Sequence, residues 1–297
     1  QLPCHLMKQD GKIREKALDH PLYPILHDMP NEWMTAPEFW GMAVNHLTLR
    51  GNFYALKNRA HGLSGNIREL IPLPPGTVQD VRQDKNFKLT YRCQFPDGDI
   101  CDIPGSEIMH VRGMTIDGYR GVSPIAYIRE CIGLAQATEE FGARYFGSGT
   151  HPGMIVEHPG TLKDPAKLRD ALGATYSGLG KTHRLMLLEE GMKAHPIAIN
   201  PEDSQFLETR KFQKSEIVDI FFGMPLTVMN PGESTPTYAS AEQFSIGFIV
   251  YAIMPWIVFM EKAIYRDLLQ LDERSTYYAK FRAEGLQRGS FRDQMEG

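Results

Sequence analysis

The strongest constraint on the fold of this chain is an apolar run over 244–260 that leaves no polar helical face. Phe, Ile, Val, Tyr, Trp and Met side chains surround a helix built on it. A helix that is apolar all round is buried either in protein or in lipid. Pro255 interrupts the run, and charged residues flank it at both ends. We therefore predict a kinked, buried helix over 241–271 and keep a membrane anchor through 244–260 as an alternative.

The residues before this run have the opposite character. A helical pattern over 204–222 stops at Gly223, and Pro225 cannot extend it because its nitrogen donates no hydrogen bond. Residues 224–239 contain three prolines, a glycine and several hydroxyl side chains, which is typical of a loop. Glu233 is the one ionised side chain of this loop. The loop is either a plain connector or an uncharged finger that touches a moving polymer weakly.

Composition limits the classes of protein that fit. An apolar content of 42% and a charged content of 23% are those of an ordinary soluble globular protein. With 297 residues, the chain is long enough for one large or two ordinary domains. The net charge of −4 argues against a protein that holds nucleic acid tightly, since that affinity comes mostly from Lys and Arg. It allows a protein that lets DNA pass without sticking.

Residues 1–120 have the pattern of an α+β domain with an antiparallel sheet. Thr35 can cap a helix that stops at Gly51. Short segments with strand character follow, separated by turn signals such as Asp97 and Gly98. These segments are 53–57, 67–73, 78–82, 87–95, 100–103 and 108–111.

A long helix is predicted over 121–148. Ser123 followed by Pro124 is a strong start signal, because a capping hydroxyl precedes a residue that needs no backbone donor there. Apolar residues then recur at spacings of three, four and seven, and such a narrow stripe packs along one line, as in a bundle or a ring. The stripe consists of Ile125, Ile128, Ile132, Ala135, Gly142 and Phe146.

A small α/β insert follows over 149–200, with short strand patterns around one helical pattern. A second long helix is predicted over 201–223, where Pro201 at the first position follows a capping Asn200. We expect Phe206 and Ile217 on this helix to belong to the packing surface that the stripe begins.

No catalytic or metal-binding pattern stands out. The turn from Gly178 to Thr182 has a Gly-Lys-Thr sequence, but Thr175 stands where a phosphate-binding loop needs its first glycine. A nucleotide-dependent enzyme is therefore the less favoured alternative, and no cofactor is predicted. The histidines and cysteines do not have metal-ligand spacing. Cys93 and Cys101 flank a hairpin and can lie opposite each other, as free thiols in a reducing compartment.

The order of several segments resembles the portal, or head-to-tail connector, proteins of tailed bacteriophages and prophages. The matching pieces cover nearly the whole chain, and their order is more specific than any one of them. They are HPLYPILHDMPN with MTAPEFW, LRGNFYALKNR with IRELIPLPPGTV, EIMHVRGMTIDGYRGVSPI, PEDSQFLETRKF, IVDIFFGMPLTVM, and TYASAEQF with IMPWI.

This resemblance implies a portal-type α+β subunit with a defined order of regions. In that order they are a wing domain at 1–120, a first stem helix at 121–148, a clip at 149–200, a second stem helix at 201–223, a tunnel loop at 224–240, a kinked wing helix at 241–271 and the start of a crown at 272–297. The chain begins at Gln1 and ends in a helical pattern, so we expect it to be a piece of a longer protein.

The resemblance also implies a role. Such proteins form a homo-oligomeric ring, usually a dodecamer, at one capsid vertex of the virion, and double-stranded DNA passes through it during packaging and ejection. The implied partners are further copies of the chain, the terminase large subunit, a head-tail adaptor and the capsid protein, without a membrane and without enzymatic activity. Assembly would take place in the host bacterial cytoplasm.

Three groups of residues become candidate functional residues under the resemblance. The stem helices would pack through Ile125, Ile128, Ile132, Phe206 and Ile217. The tunnel loop would face the DNA channel with Thr227, Asn230, Glu233, Ser234, Thr235 and Thr237. The clip would face the terminase with Lys163, Lys167, Lys181 and Arg184.

Overall fold

The structure, a computed structural model, divides the chain into two compact units. Unit 1 comprises Gln1–Ile128 and Val218–Gly297, and unit 2 comprises Arg129–Ile217. The residues that the structure describes are 2–60, 65–147, 154–161, 164–167, 170, 191–196, 206–222 and 246–282.

Helix α2 (Ala36–Arg50) begins and ends where its capping residues predict; a short helix α1 (Leu22–His27) precedes it. Thr35 forms a capping box, in which its backbone N–H and its hydroxyl both donate to Glu38 Oε2, at 2.8 and 2.7 Å. Gly51 ends the helix with φ of 75°. A side chain at Gly51 would place its Cβ 2.0 Å from the carbonyl oxygen of Val122, so only glycine fits.

All six predicted strand segments are confirmed, but they form two sheets rather than one. The strands are β3 (Asn52–Arg59), β4 (Ile67–Pro72), β5 (Val78–Gln83), β6 (Leu89–Gln94), β7 (Ile100–Pro104) and β8 (Ile108–Arg112). One antiparallel sheet has the order β4-β3-β8 and the other β5-β6-β7. The segment between β4 and β5 carries Pro74 and Pro75, which cannot donate ladder hydrogen bonds.

Another antiparallel sheet was not predicted from the sequence. Its order is β11-β1-β2, with β1 (Cys4–Asp10), β2 (Ile13–Lys16) and β11 (Tyr277–Phe281). Cys4 and Leu6 of β1 and Phe281 of β11 are buried, whereas β2 is exposed along its length. The sheet escaped prediction because its first two strands are polar and its third lies some 270 positions along the chain.

The apolar run forms a helix that is buried on one side only. A π-helical segment (Phe248–Ile253) leads into helix α6 (Met254–Asp267), which packs against β8 and β11. The Met254 N–H bonds to the carbonyl of Ile249, five residues earlier, and Pro255 follows at once. The wider turn is a normal response to a residue that donates no hydrogen bond and crowds the preceding turn.

The main core of unit 1 lies between helix α2, the sheets and helix α6. Its largest fully buried side chains include Phe39, Phe53, Leu47, Met109 and Ile264. Phe39 packs edge-on against Trp40 and Phe53, with ring centroids 5.1 and 5.2 Å apart. A smaller apolar cluster around Tyr91 and Cys93 of β6 also includes Ile108 of β8, so it joins the β5-β6-β7 sheet to the β4-β3-β8 sheet.

The predicted first long helix is divided at Ile128. Helix α3 (Pro124–Tyr127) has the predicted Ser123 cap, whose hydroxyl accepts from the N–H of Ala126 at 3.4 Å. Ile128 leaves helical geometry, with φ of −99° and ψ of 17°, and helix α4 (Arg129–Gly147) then begins unit 2. The described part of unit 2 also contains strands β9 (Met154–Glu157) and β10 (Lys193–Pro196), which pair antiparallel, and helix α5 (Phe206–Phe222), which continues into unit 1.

Candidate functional site

The C-terminal end of helix α6 is held to the β4-β3-β8 sheet by one carboxylate. Asp267 accepts from the backbone N–H of His110 at 3.0 Å and forms an ion pair with Arg266 at 2.6 Å. The ammonium of Lys57 donates to the backbone carbonyl of Asp267 at 2.9 Å. Burial lowers the pKa of Lys57 to about 8, with the Asp267 carboxylate opposing the shift. These contacts fix the position at which the apolar helix ends.

The imidazole of His110 extends this network to the far side of the sheet. Its Nε2 lies 2.9 Å from Asn52 Oδ1, and its Nδ1 lies 3.1 Å from the hydroxyl of Tyr91. Because the Asn52 oxygen can only accept, Nε2 carries the proton and Nδ1 accepts from Tyr91. Burial, with Arg112 and Arg266 nearby, lowers the pKa of His110 well below its ordinary value. The ring is therefore neutral at pH 7.

The segment 113–122, which leads to helix α3, is ordered by its own polar contacts. Asp117 accepts from the backbone N–H groups of Tyr119 and Arg120 at 3.0 and 2.7 Å and from the Arg120 guanidinium at 2.8 Å. Asn52 bonds both the N–H and the carbonyl of Gly121, at 2.7 Å each. This segment contains part of the VRGMTIDGYRGVSP motif, so the motif residues build a firm exit from the sheet.

The other side of the apolar helix is open in the single chain. Val250, Tyr251, Val258 and Phe259 are between 38% and 68% exposed. Within the described residues, Phe248–Asp267 is the one helix long and apolar enough to cross a membrane, and 33% of its apolar window is buried. The helix is thus covered on the side that faces β8 and β11 and partly exposed on the other.

Helices α4 and α5 contact each other through side-chain hydrogen bonds. The Cys131 thiol donates to Glu216 at 3.2 Å, and the Gln213 amide donates to Thr138 at 3.1 Å. Along the described part of the stripe, Ile128 and Gly142 are buried and Ile125, Ile132 and Ala135 are half-buried. The bonded residues Cys131 and Thr138 alternate with stripe residues on α4, so the stripe of unit 2 faces a helix of the same chain.

Other apolar side chains of this helix pair flank that contact and are partly exposed. Leu134 and Phe141 lie seven positions apart on α4, which places them on one helix face, and are 55% and 49% exposed. Phe212 on α5 is 64% exposed. The periodicity of the stripe does not include these residues because charged neighbours interrupt their pattern, and the pairing of the two helices is needed to see that they remain partly exposed.

The remaining predicted site residues fall as follows. Lys167 is exposed, and its backbone N–H bonds to Asp164 at 3.2 Å. Ile217 on helix α5 is half-buried. The side chain of Phe206 and the residues Thr227, Asn230, Glu233, Ser234, Thr235, Thr237, Lys163, Lys181 and Arg184 lie outside the described part of the chain.

The cysteine register agrees with the prediction. Cys93 of β6 and Cys101 of β7 are directly opposite each other, and both are free thiols. Burial raises the pKa of Cys93 to about 11, so this thiol stays protonated at pH 7. Among the described residues there is no group of His, Cys, Asp and Glu side chains that would hold a metal ion.

Comparison with known families decides which class of protein has this arrangement. The sequence profile of the family described as "Phage portal protein" matches residues 1–297. The chain belongs to the phage portal family. This family is structural rather than enzymatic, and the comparisons support neither a membrane anchor nor a nucleotide-dependent enzyme.

Two curated relatives illustrate the match to portal proteins. The portal protein of Enterobacteria phage HK97 is 31% identical over 294 residues, which cover 97% of this chain and 68% of that protein. The probable portal protein of Streptomyces phage phiC31 is 35% identical over 193 residues, which cover 64% of this chain and 42% of that protein. The chain thus spans 42% to 68% of the length of these relatives.

Solved structures have the same portal fold at lower identity. A crystal structure of an HK97 family phage portal protein from Corynebacterium diphtheriae superposes with a TM-score of 0.64 and 16% identity, covering 96% of this chain and 88% of that one. A chain in the neck of an empty gene transfer agent particle, computed with C6 symmetry, gives a TM-score of 0.68 and 19% identity, covering 99% of this chain and 80% of that one. The predicted α+β portal-type fold is therefore confirmed.

Proposed function

We propose that this chain is a portal subunit: it forms a homo-oligomeric ring at a capsid vertex, through which double-stranded DNA is packaged and ejected. The observation that carries this proposal is the family match over the entire chain. Chains with the same fold occur in the necks of gene transfer agent particles solved with C6 and C12 symmetry. A ring of twelve such subunits in the virion, assembled in the host bacterial cytoplasm, is consistent with those necks.

The exposed apolar residues support assembly with further copies of the chain. In a closed ring, each subunit presents one surface to the neighbour on one side and a different surface to the neighbour on the other. Leu134 with Phe141 on α4, and Phe212 on α5, are side chains of the kind that such contacts bury. We assign the contact between neighbouring stem helices to this outer surface, because the stripe of Ile132 and Ala135 already faces helix α5.

The regional roles keep the order given by the family resemblance. In our proposal, 1–120 and 241–271 form the wing, 121–148 and 201–223 the stem, 149–200 the clip, and 272–297 the start of a crown. The tunnel loop at 224–240 carries Glu233 as its only ionised side chain, so a ring of such loops lines the channel without binding phosphate.

The same proposal gives the partners their places. The clip lysines, including the exposed Lys167, meet the terminase large subunit, which supplies the energy for DNA translocation. A head-tail adaptor later occupies the clip, and the capsid protein surrounds the wing. The subunit itself needs no cofactor and performs no catalysis in this scheme.

The test is electron microscopy of the purified chain, together with a version extended to the length of the curated relatives. We expect end-on views of rings with a central channel, and class averages give the number of subunits. Monomers or irregular particles from the extended protein, at concentrations where its thermal unfolding shows an intact fold, would contradict the proposal.

A further inference from the structure

Cys93 and Cys101 are two of the four cysteines of the chain, and they lie directly opposite each other on neighbouring strands. Both side chains project from the same face of the β5-β6-β7 sheet, because directly opposite residues of antiparallel strands share a face. Their environments differ, since Cys93 is fully buried in the small apolar cluster and Cys101 is exposed. The pair therefore combines a protected thiol with one that a dissolved reagent can reach.

The hydrogen bonds of the β6–β7 hairpin set the distance between the two backbones. The N–H of Phe95 donates to the carbonyl of Asp99 at 2.9 Å, which marks these two residues as a hydrogen-bonded pair. Such pairs recur at every second position of an antiparallel ladder, so Cys93 and Cys101 form the next one. The Cα atoms of hydrogen-bonded pairs are about 5.5 Å apart, within the range of about 4.4 to 6.8 Å that disulfides span.

The edge position of β7 allows the small movement that a bond between the two sulfurs requires. Cβ atoms of opposite residues lie about 4.5 to 5.5 Å apart, and a disulfide needs about 3.5 to 4.5 Å. Within the described residues, β7 pairs with β6 alone. On the other face of the hairpin, Arg92 donates two hydrogen bonds to Asp102, at 3.0 and 3.2 Å. This pair keeps the register fixed while the edge strand moves by about 1 Å.

The two thiols differ in reactivity. Burial, followed by negative charge on Cys101 and Asp102, raises the pKa of Cys93 to about 11. Its Sγ donates to the carbonyl of Tyr91 at 3.8 Å, so Cys93 is a protonated thiol at pH 7. The thiolate is the reactive form of cysteine, and an oxidant must be able to reach it. The exposed Cys101 therefore reacts first.

We propose that Cys93 and Cys101 are a reversible redox pair, which a small disulfide such as oxidised glutathione converts into an intrachain disulfide across the β6–β7 hairpin. The Cys101 thiolate attacks the glutathione disulfide, forms a mixed disulfide and releases one glutathione thiolate. Cys93 then gives up its proton, and its sulfur attacks the sulfur of Cys101 and releases the second glutathione thiolate. The two protein thiols are oxidised to one disulfide, and one glutathione disulfide is reduced to two thiols.

The proposed function gives this pair a change of redox environment. The chain assembles in the reducing host cytoplasm, where thiols stay free, and a released virion meets an oxidising medium. The bridge then links β7 to β6, whose Tyr91 and Cys93 belong to the cluster that joins the two sheets. We therefore expect the wing to be more stable in the released particle than during assembly. This context rests on the proposed function, whereas the reaction itself does not.

The test equilibrates the full 297-residue chain with mixtures of reduced and oxidised glutathione and traps the free thiols by alkylation. No Lys or Arg separates Cys93 from Cys101, so trypsin releases both in the peptide 93–112. Mass spectrometry then shows the bridge as the loss of two hydrogen atoms. A protease that cleaves before Asp97 and Asp99 leaves the two halves of this peptide joined by the bridge alone.

Comparison with the unfolded chain separates the strand register from simple closeness in sequence. We expect bridge formation to be at least tenfold more favoured in the folded chain than in urea, where only a short flexible loop connects the two cysteines. A bridge that is favoured by folding stabilises the fold by the same factor. The oxidised chain should therefore unfold at a higher urea concentration than the reduced chain, which circular dichroism measures independently.

Three variants identify the sulfurs involved. Cys101→Ser removes the exposed thiol and should abolish the mass change in the peptide 93–112. Cys93→Ala removes the buried thiol, so Cys101 should stop at the glutathione adduct. Cys131→Ser is the matched control, because Cys131 is a partly buried cysteine on helix α4, outside the hairpin, and its replacement should leave the bridge unchanged. Thermal unfolding of each variant checks that the fold is intact.

Several outcomes would overturn the proposal. The first is a wild-type chain in which neither thiol is oxidised, or in which Cys101 stops at the glutathione adduct while Cys93 stays free. Another is a bridge between the Cys101 residues of two chains, seen as a dimer on a non-reducing gel. Equal formation of the bridge in the folded and unfolded chains would assign it to the short loop. All of these results concern chemistry within unit 1, so electron microscopy of rings decides the proposed function separately.

Discussion

The core of unit 1 and the helix pair of unit 2 use helices in different ways. Helix α2 buries five side chains against strands and a neighbouring helix, among them Phe39 and Leu47 at zero exposure. Among the described side chains of helix α4, Gly142 is the buried one, and Leu134 and Phe141 stay about half exposed. Helix α2 completes its packing within one chain, whereas helix α4 keeps apolar side chains partly exposed. In our proposal, these exposed side chains of α4 serve assembly, and the buried side chains of α2 serve stability.

The largest expected effect is a core truncation in unit 1, compared with a matched truncation in unit 2. Phe39→Ala removes a ring that packs on Trp40 and Phe53, so we expect the free energy of unfolding to fall by about 3–5 kcal/mol. Leu134→Ala should change it by less than about 0.5 kcal/mol in the monomer. Urea denaturation followed by circular dichroism measures both. Similar losses in the two variants would remove the distinction between the units.

A glycine substitution tests how tightly unit 1 is closed around the end of helix α2. Gly51→Ala forces a side chain into a left-handed position 2.0 Å from the Val122 oxygen, and we expect a loss of about 2–4 kcal/mol. Gly76 has a similar positive φ of 94° but nothing within 4 Å, so Gly76→Ala should cost only about 1 kcal/mol. Thermal unfolding of the two variants measures the difference between their losses of stability. Equal losses would mean that the positive φ alone sets the cost at both positions, without a contribution from the close contact at Gly51.

Acid should weaken unit 1 through its buried neutral histidines. The pKa of His110 lies well below its ordinary value and that of His5 is about 4, mainly because both rings are buried. The unfolded chain binds these protons near pH 6.5, so stability is complete above that pH and is lost as pH falls. For each histidine that takes up a proton on unfolding, the free energy of unfolding falls by about 1.4 kcal/mol for each pH unit below that point.

Denaturation curves between about pH 7 and pH 4.5 test this, before most carboxylates titrate. His110→Gln should flatten the slope even if it lowers stability at every pH. A slope unchanged by the substitution would show that His110 is not a source of the acid sensitivity.

The smallest expected effect on stability accompanies a large effect on assembly. Leu134→Asp and Phe212→Asp place charge on exposed positions, so the free energy of unfolding of the monomer should change by about 0.5 kcal/mol or less. If neighbouring stem helices meet through this surface, the fraction of ring particles should drop to near zero.

Ile132→Asp is the matched control for that experiment. Ile132 is half-buried on the stripe that faces helix α5, so its replacement should lower the melting temperature of unit 2. Intact rings from the Leu134 and Phe212 variants, with rings lost only in Ile132→Asp, would return the subunit contact to the stripe.

Local sequence signals predicted most of the elements of this protein. The Thr35 cap, the Gly51 stop, the six strands between residues 53 and 111 and the Ser123 cap are set by neighbours within a few positions, so they could be recognised without tertiary information. The β11-β1-β2 sheet could not be recognised in this way, because β1 is polar on one face and pairs with β11 from the other end of the chain.

The break at Ile128 and the one-sided burial of helix α6 also could not be predicted from the sequence and became apparent only in the structure. Periodicity continues through Ile128, and nothing in its spacing indicates that the chain passes from one unit to another there. The apolar run predicts burial, but not which side is covered by β8 and β11 and which side stays open.

The sequence alone determined the family, most of the helices and strands, and the low charge of the loop at 224–240, because these properties depend on local chemistry and on the order of motifs. The tertiary structure alone decided which faces of the described helices are occupied. Those properties depend on contacts between residues far apart in the chain, as between Lys57 and Asp267 or His5 and Lys280. Hydrophobic burial is nondirectional, so a pattern can require it without specifying the surface that provides it.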